Sequence, residues 1–215
     1  MNNKIDINWP TYIAKFSNPN HIEIKNDLIN FFEDYIKKNP NGRKSGENQK
    51  LYESTYDLHL NKNESYKKLL GFMSKAFLSV SNFANQKRIK ELKKPNFKTQ
   101  IINSWFIKYE KGGSVLPHSH GNCSWSCVYY VQIDNNLDGK EGYTFFEKPY
   151  LQNHIDDFGS KYDSYETKYY KPEEGTILIW PGHIRHGSIP FFGKKNRIIV
   201  SANANIQLES NDYEI

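Results

Sequence analysis

The 215 residues carry 29 basic against 24 acidic side chains, a formal net charge of +5, and are 37% hydrophobic with 15% aromatics. That is length and apolar mass for one folded globule with a real core, and the charges are spread along the chain, so a nucleic-acid surface is not indicated. No apolar run reaches signal-peptide or membrane-spanning length. The two cysteines, Cys123 and Cys127, lie about 13 Å apart if their segment is extended at roughly 3.3 Å per residue, beyond disulfide reach. A soluble, reducing, cytoplasmic setting is therefore expected.

In chain order, residues 9 to 16 read as a short strand. Ile24, Leu28, Phe32 and Ile36 then recur at four-residue spacing, the stripe of an amphipathic helix over 21 to 38. Asn39, Pro40, Asn41 and Gly42 stop it, and a polar loop over 39 to 50 follows. LYESTYDLHL alternates as a strand would. Asn63 reads as the N-cap of a second helix whose apolar face, Leu69, Leu70, Phe72, Met73, Ala76, Phe77, Val80, Phe83 and Ala84, belongs against a sheet. Pro95 closes the helical half. From residue 97 the texture changes to short runs of Ile, Val, Tyr, Phe and Trp between Gly, Asn, Asp and Pro turns. These runs predict strands near 99 to 109, 114 to 119, 124 to 133, 142 to 147, 166 to 171, 175 to 180, 186 to 190 and 196 to 207, with a long loop over 150 to 165. The expected fold class is α+β: a double-stranded β-helix, or jelly roll, over 97–215, with a helical N-terminal extension, 1–96, packed on one sheet.

Two short stretches concentrate chemistry. Of seven histidines, four (His118, His120, His183 and His186) fall in PHSHG and PGHIRHG. Side chains two apart on an extended segment share a side, so His118 and His120 can reach one metal ion, with His186 as the third ligand from a distant strand. Three imidazoles suit ferrous iron and leave positions open for a co-substrate and oxygen, whereas a structural zinc site would be closed by a fourth ligand. Arginine is scarce, four residues in all, and Arg197 begins the last strand, where Ile199, Ser201 and Asn203 share its face. A buried guanidinium needs an anion and fits a carboxylate at two points. With no acidic neighbour in the pattern, a bound dicarboxylate is the expected occupant, and Ser201 and Asn203 are expected to add hydrogen bonds beside the arginine.

Together these residues resemble the 2-oxoglutarate and Fe(II)-dependent oxygenases, in particular the prolyl-4-hydroxylase-like branch. The matching features are Tyr109, Gly112, His118 and His120, the SCVYYV strand, and His186 followed by Arg197. The pieces PHSHGNCSWSCVYYV, GYTFFEKP, GTILIWPGHIRHG and RIIVSAN are similar to the 2OG-Fe(II) oxygenase family met in marine bacteria and their viruses, with a weaker likeness in SGENQKLYESTYDLH.

The resemblance implies a dioxygenase, a hydroxylase in outcome, that couples decarboxylation of 2-oxoglutarate to oxidation of a substrate C–H bond. It implies Fe(II), 2-oxoglutarate and O2 as cofactor and co-substrates, admits ascorbate, and allows a virus-encoded protein in a bacterial host. His118, His120 and His186 would hold the metal, the family pattern favouring His186 over His183. Arg197, Tyr130 and Ser201, with Tyr109 nearby, would hold 2-oxoglutarate. The substrate would be a small molecule or a peptide side chain.

The branch has a carboxylate where this chain has His120. Three neutral imidazoles leave Fe(II) its full charge, which a dianionic 2-oxoglutarate would neutralise. The sequence admits His120 either as a ligand or behind the ligands, with Asn122 a weaker oxygen donor. A three-histidine cupin-type enzyme without 2-oxoglutarate and a non-catalytic jelly-roll binding module are the competing classes.

Overall fold

The computed structural model describes residues 10–43, 50–92, 95–134, 137–150 and 166–209. The elements run β1 (Ala14–Ser17), α1 (His21–Lys38), β2 (Leu51–Glu53), α2 (Glu64–Ala84), the short α3 (Gln86–Ile89), β3 (Phe97–Tyr109), β4 (Trp125–Gln132), β5 (Thr144–Glu147), β6 (Thr167–Tyr170), β7 (Thr176–Pro181), β8 (His186–Ser188) and β9 (Arg197–Leu208). Six strands form one sheet in the order β1-β7-β4-β9-β3-β2, and three form a second, β6-β5-β8. The strand pairs are antiparallel. This is the jelly-roll arrangement expected, with the helices on one face of the larger sheet.

Side-chain alternation explains the layering. On β3, β4, β7 and β9, Phe106, Cys127, Tyr129, Ile177, Ile179, Ile198, Val200 and Ala202 point to the helices. There they meet Ile24, Leu28 and Phe32 of α1 and Leu69, Met73, Phe77 and Val80 of α2. The opposite parity, Trp105, Ile107, Tyr109, Val128, Tyr130, Leu178, Trp180 and Ile199, points to the smaller sheet and meets Phe146, Ile184 and Phe191. Strands covered on both faces read as near-continuous apolar runs, as IIV does before Ser201. A register shift between Ile101 and Asn103 changes the parity of β3. Ile101 therefore packs on the helix side, while Trp105, Ile107 and Tyr109 turn inward.

The helix predictions hold in detail. Asn63 caps α2, its side chain accepting from Tyr66 N at 2.9 Å, and Met73 is fully buried core. Phe83 departs from the expected face: it is 62% exposed, with the Tyr12 ring edge-on to it at a centroid distance of 5.9 Å, whereas its neighbour Ala84 packs on the core.

Other expectations need correction. Residues 114 to 119 form no strand; their backbone is held by isolated bridges, Gly113 to Phe191 and His118 to His186. Of LYESTYDLHL, Leu51–Glu53 alone is a strand, and Leu58–Leu60 is a 3-10 turn. The strand begun at His186 ends at Ser188, since Pro190 has no N–H to continue a ladder. Residues 151–165 of the expected long loop and 44–49 of the earlier one lie outside the described residues. No helix among the described residues is long and apolar enough to cross a membrane.

Candidate active site

His118 sits in irregular chain yet is fixed as firmly as a strand residue. Its N–H donates to His186 O and its carbonyl accepts from His186 N, both at 2.9 Å, and His120 N donates to Gly182 O at 2.8 Å. Gly182 is required at that contact: a Cβ there would lie 2.6 Å from Cys123 O and 3.0 Å from His120 O. Gly112, at the turn leading in, has φ +83, a conformation that glycine adopts without strain.

The three imidazoles converge. One ligand atom from each of His118, His120 and His186 lies within 4.8 Å of the others, and the ring centroids are 4.3 to 5.1 Å apart. His118 Nδ1 lies 2.8 Å from Leu116 O, and His186 Nδ1 lies 2.9 Å from Ile184 O. Each carbonyl can only accept, so each Nδ1 carries the proton and each Nε2 keeps its lone pair for a metal. Burial lowers the His120 pKa to about 4, helped by the neighbouring His118. Burial lowers that of His186 to about 3, reinforced by His118 and His120 and opposed by the bond to Ile184. Both rings are thus neutral near pH 7, the state a metal ligand needs.

The cluster opens on a cavity of about 240 Å³ whose walls include Trp105, Tyr109, Thr144, Trp180, Arg197 and Ser201. At its far end Arg197 is 1% exposed. Its guanidinium carbon lies 4.0 Å from the Tyr109 ring centroid and 5.9 Å from that of Tyr130. Nε and Nη1 have no hydrogen-bond partner among the described residues. Burying a cation with unused donors is costly, and a carboxylate in the cavity supplies the missing acceptors. The Tyr130 hydroxyl is 2.7 Å from Thr144 Oγ1. Its pKa is pushed up to about 12 by burial, against the opposing pull of Arg197, so it remains a neutral donor.

Ser201 lines the cavity between the two ends. Asn203 does not stand beside Arg197 as expected from their shared face. Six residues along β9 place the two Cα atoms roughly 20 Å apart, and Asn203 Nδ2 is 3.3 Å from His120 Nδ1. His183 is exposed, and Arg185 turns outward to Glu147 at 2.9 Å.

Sequence reasoning missed Thr144, Trp180 and the contribution of the N-terminal half. Trp180 stands 4.5 Å from the His186 ring, and inward parity on β7 could have identified it. Glu53 and Tyr56 also line the cavity. They are brought there by the pairing of Glu53 with Ile107, and the Tyr56 ring lies 4.7 Å from that of Trp105.

A jelly roll with an imidazole cluster at one end of a cavity and, at the other, a buried arginine with two donors unpartnered among the described residues has the donor set that a 2-oxoglutarate and Fe(II)-dependent oxygenase requires. Residues 103–203 match the model of the family described as "Putative 2OG-Fe(II) oxygenase", and that stretch carries His118, His120, His186 and Arg197. Among solved structures, the fold is similar to a viral collagen prolyl hydroxylase from Paramecium bursaria Chlorella virus-1 in complex with 2OG, at 17% identity and TM-score 0.53, covering 90% of this chain and 95% of that one. A Pseudomonas putida prolyl-4-hydroxylase is similar at 13% identity and TM-score 0.56, covering 89% and 91%. HygX from Streptomyces hygroscopicus, with nickel and 2-oxoglutarate bound, is similar at 8% identity and TM-score 0.54, covering 90% and 82%. No curated protein sequence matches the chain.

Proposed function

We propose that His118, His120 and His186 hold Fe(II), that Arg197 and Tyr130 hold the distal carboxylate of 2-oxoglutarate, and that the chain hydroxylates a C–H bond of a small molecule or peptide side chain. The observation that carries this reading is Arg197, a buried cation whose Nε and Nη1 lack partners among the described residues, in the same cavity as the three imidazoles. Bound Fe(II) and 2-oxoglutarate together supply the chemistry: O2 is reduced, 2-oxoglutarate gives succinate and CO2, and one oxygen atom enters the substrate.

The chain's own residues bind, orient and exclude water. The carbonyls of Leu116 and Ile184 fix which imidazole nitrogen faces the metal. Arg197 supplies a fork for two-point contact, stacked on Tyr109 so that its plane is set before binding. Tyr130 donates its hydroxyl proton towards an acceptor while Thr144 holds the phenol in place. Trp105, Ile107, Val128 and Trp180 keep the cavity dry, which strengthens each of these contacts. Substrate enters on the side of Trp105, Tyr56 and Glu53.

The test is succinate release from 2-oxoglutarate under oxygen with added Fe(II). His186→Ala abolishes it, and Arg197→Ala retains it at saturating 2-oxoglutarate with a raised KM. Iron binding without any succinate formation would overturn the reading in favour of a metal enzyme that does not use 2-oxoglutarate.

A further inference from the structure

His118 and His186 obtain their tautomer from the carbonyl two residues earlier, Leu116 O and Ile184 O. His120 does not follow this rule. The carbonyl two residues before it belongs to His118 and already accepts the His186 N–H at 2.9 Å. The contact His120 Nδ1 makes instead is with the side-chain amide of Asn203, at 3.3 Å. Asn203 is 5% exposed and its Oδ1 has no partner among the described residues. Its backbone is pinned on both sides, opposite Ser126 of β4 and Asn103 of β3, so the amide can do little but turn about its own axis.

The two orientations of that amide have opposite consequences. With Nδ2 towards the ring, an amide N–H donates to Nδ1. The ring proton then sits on Nε2 and points at His186 Nε2, 3.3 Å away, and such a ring has no lone pair to offer a metal. With the amide turned by half a rotation, Oδ1 accepts from Nδ1–H and the Nε2 lone pair faces the cluster. The second orientation also gives the buried Oδ1 the partner it lacks.

We propose that the Asn203 side-chain carbonyl accepts the Nδ1 proton of His120 and thereby fixes its Nε2 as the third metal-binding atom. Asn203 is a positioning residue acting through His120, from a strand of the larger sheet that carries none of the three histidines. This rests on the three-histidine reading of the metal centre above. It accounts for how an imidazole serves at a position where the prolyl-4-hydroxylase-like branch carries a carboxylate, which has no tautomer to fix.

The experiment uses the full chain labelled with 15N-histidine, with Zn(II) as a diamagnetic probe, and reads ring-nitrogen chemical shifts and Zn(II) affinity; His120→Ala identifies the His120 signals. In wild type, His120 is protonated at Nδ1 and ligated through Nε2. Asn203→Leu, which removes the acceptor, shifts the proton to Nε2 and weakens Zn(II) binding by about 10- to 100-fold, the usual effect of losing such a partner. Asn203→Asp, an obligate acceptor of the same shape, keeps the Nδ1–H tautomer and binds at least as tightly as wild type. This second variant decides the matter even if the leucine variant fails to fold, because loss of the tautomer or of affinity in it overturns the proposal. An unchanged tautomer and affinity in Asn203→Leu overturn it as well, with the three-histidine centre intact. Wild-type Zn(II) held by His118 and His186 alone overturns the three-ligand reading and this inference together.

Discussion

His118 and His186, 68 residues apart in sequence, exchange both of their backbone hydrogen bonds at 2.9 Å. The two imidazoles are therefore presented by one local antiparallel bridge, and their separation is a backbone property. Gly182 guards the backbone that presents the third imidazole, because a methyl group there would press on Cys123 and His120. Gly182→Ala is expected to lower Fe(II) or Co(II) affinity at least tenfold, of the order seen when support around a metal ligand is lost, with far-UV circular dichroism unchanged. Metal titration followed by absorbance measures it, and wild-type affinity would show that the loop yields without disturbing the ligands.

Arg197 separates binding from stability. Arg197→Met keeps the volume and removes a buried charge with two unpartnered donors, so in the absence of 2-oxoglutarate the variant is expected to be as stable as wild type or more so, by about 1–4 kcal/mol. Its affinity for 2-oxoglutarate is expected to fall by about 2–5 kcal/mol, some 30-fold or more. Urea denaturation and calorimetric titration read the two effects separately; a destabilised variant with normal 2-oxoglutarate affinity would make Arg197 a structural residue.

The neutral histidines predict an acid-sensitive fold. The folded-state values, about 4 for His120 and about 3 for His186, lie below the ordinary 6.5. The unfolded chain therefore binds protons first as pH falls, and stability declines from about pH 6.5 downward until the folded rings also titrate. Chelator-treated protein should show a lower urea midpoint at pH 5 than at pH 7. The double variant His120→Gln/His186→Gln should show a shallower fall, and equal slopes would contradict the assigned shifts.

Packing of the helices on the larger sheet should be felt most at Phe32. Its ring stacks on Phe106 at 4.3 Å and meets Tyr66 edge-on at 6.2 Å, with 1% exposure. Phe32→Ala is expected to cost about 3–5 kcal/mol while leaving the metal cluster, on the other face of the sheet, intact. Thermal denaturation and metal titration test the two halves of that statement.

Much of this architecture was legible in residue order because it follows local periodicity. The α1 stripe, the Asn63 cap and the shared face of Arg197, Ile199 and Ser201 need only the spacing of residues on a helix or strand. The convergence of His118, His120 and His186 was legible too, although the strand expected around the first two is absent. An extended piece can present alternate side chains together while spending its backbone bonds on scattered partners. What spacing could not reveal depends on register between distant strands. Asn203 was placed beside Arg197 because they share a face, yet its pairing with Ser126 sets it at the histidine end. Glu53 and Tyr56 reach the cavity through β2 at the sheet edge, a long-range pairing with no local signature. Thr144 and Trp180 had the right parity but no motif to single them out.

Strand β9 carries Arg197, Ser201 and Asn203 along one face, and it is hydrogen-bonded on both sides for most of its length. The arginine fork and the amide behind His120 are therefore graduations on one rigid rule, with no hinge between them. On the function proposed above, selection of the co-substrate by carbon count falls to the backbone itself: oxaloacetate, one methylene short, and 2-oxoadipate, one methylene long, are expected to bind more weakly than 2-oxoglutarate.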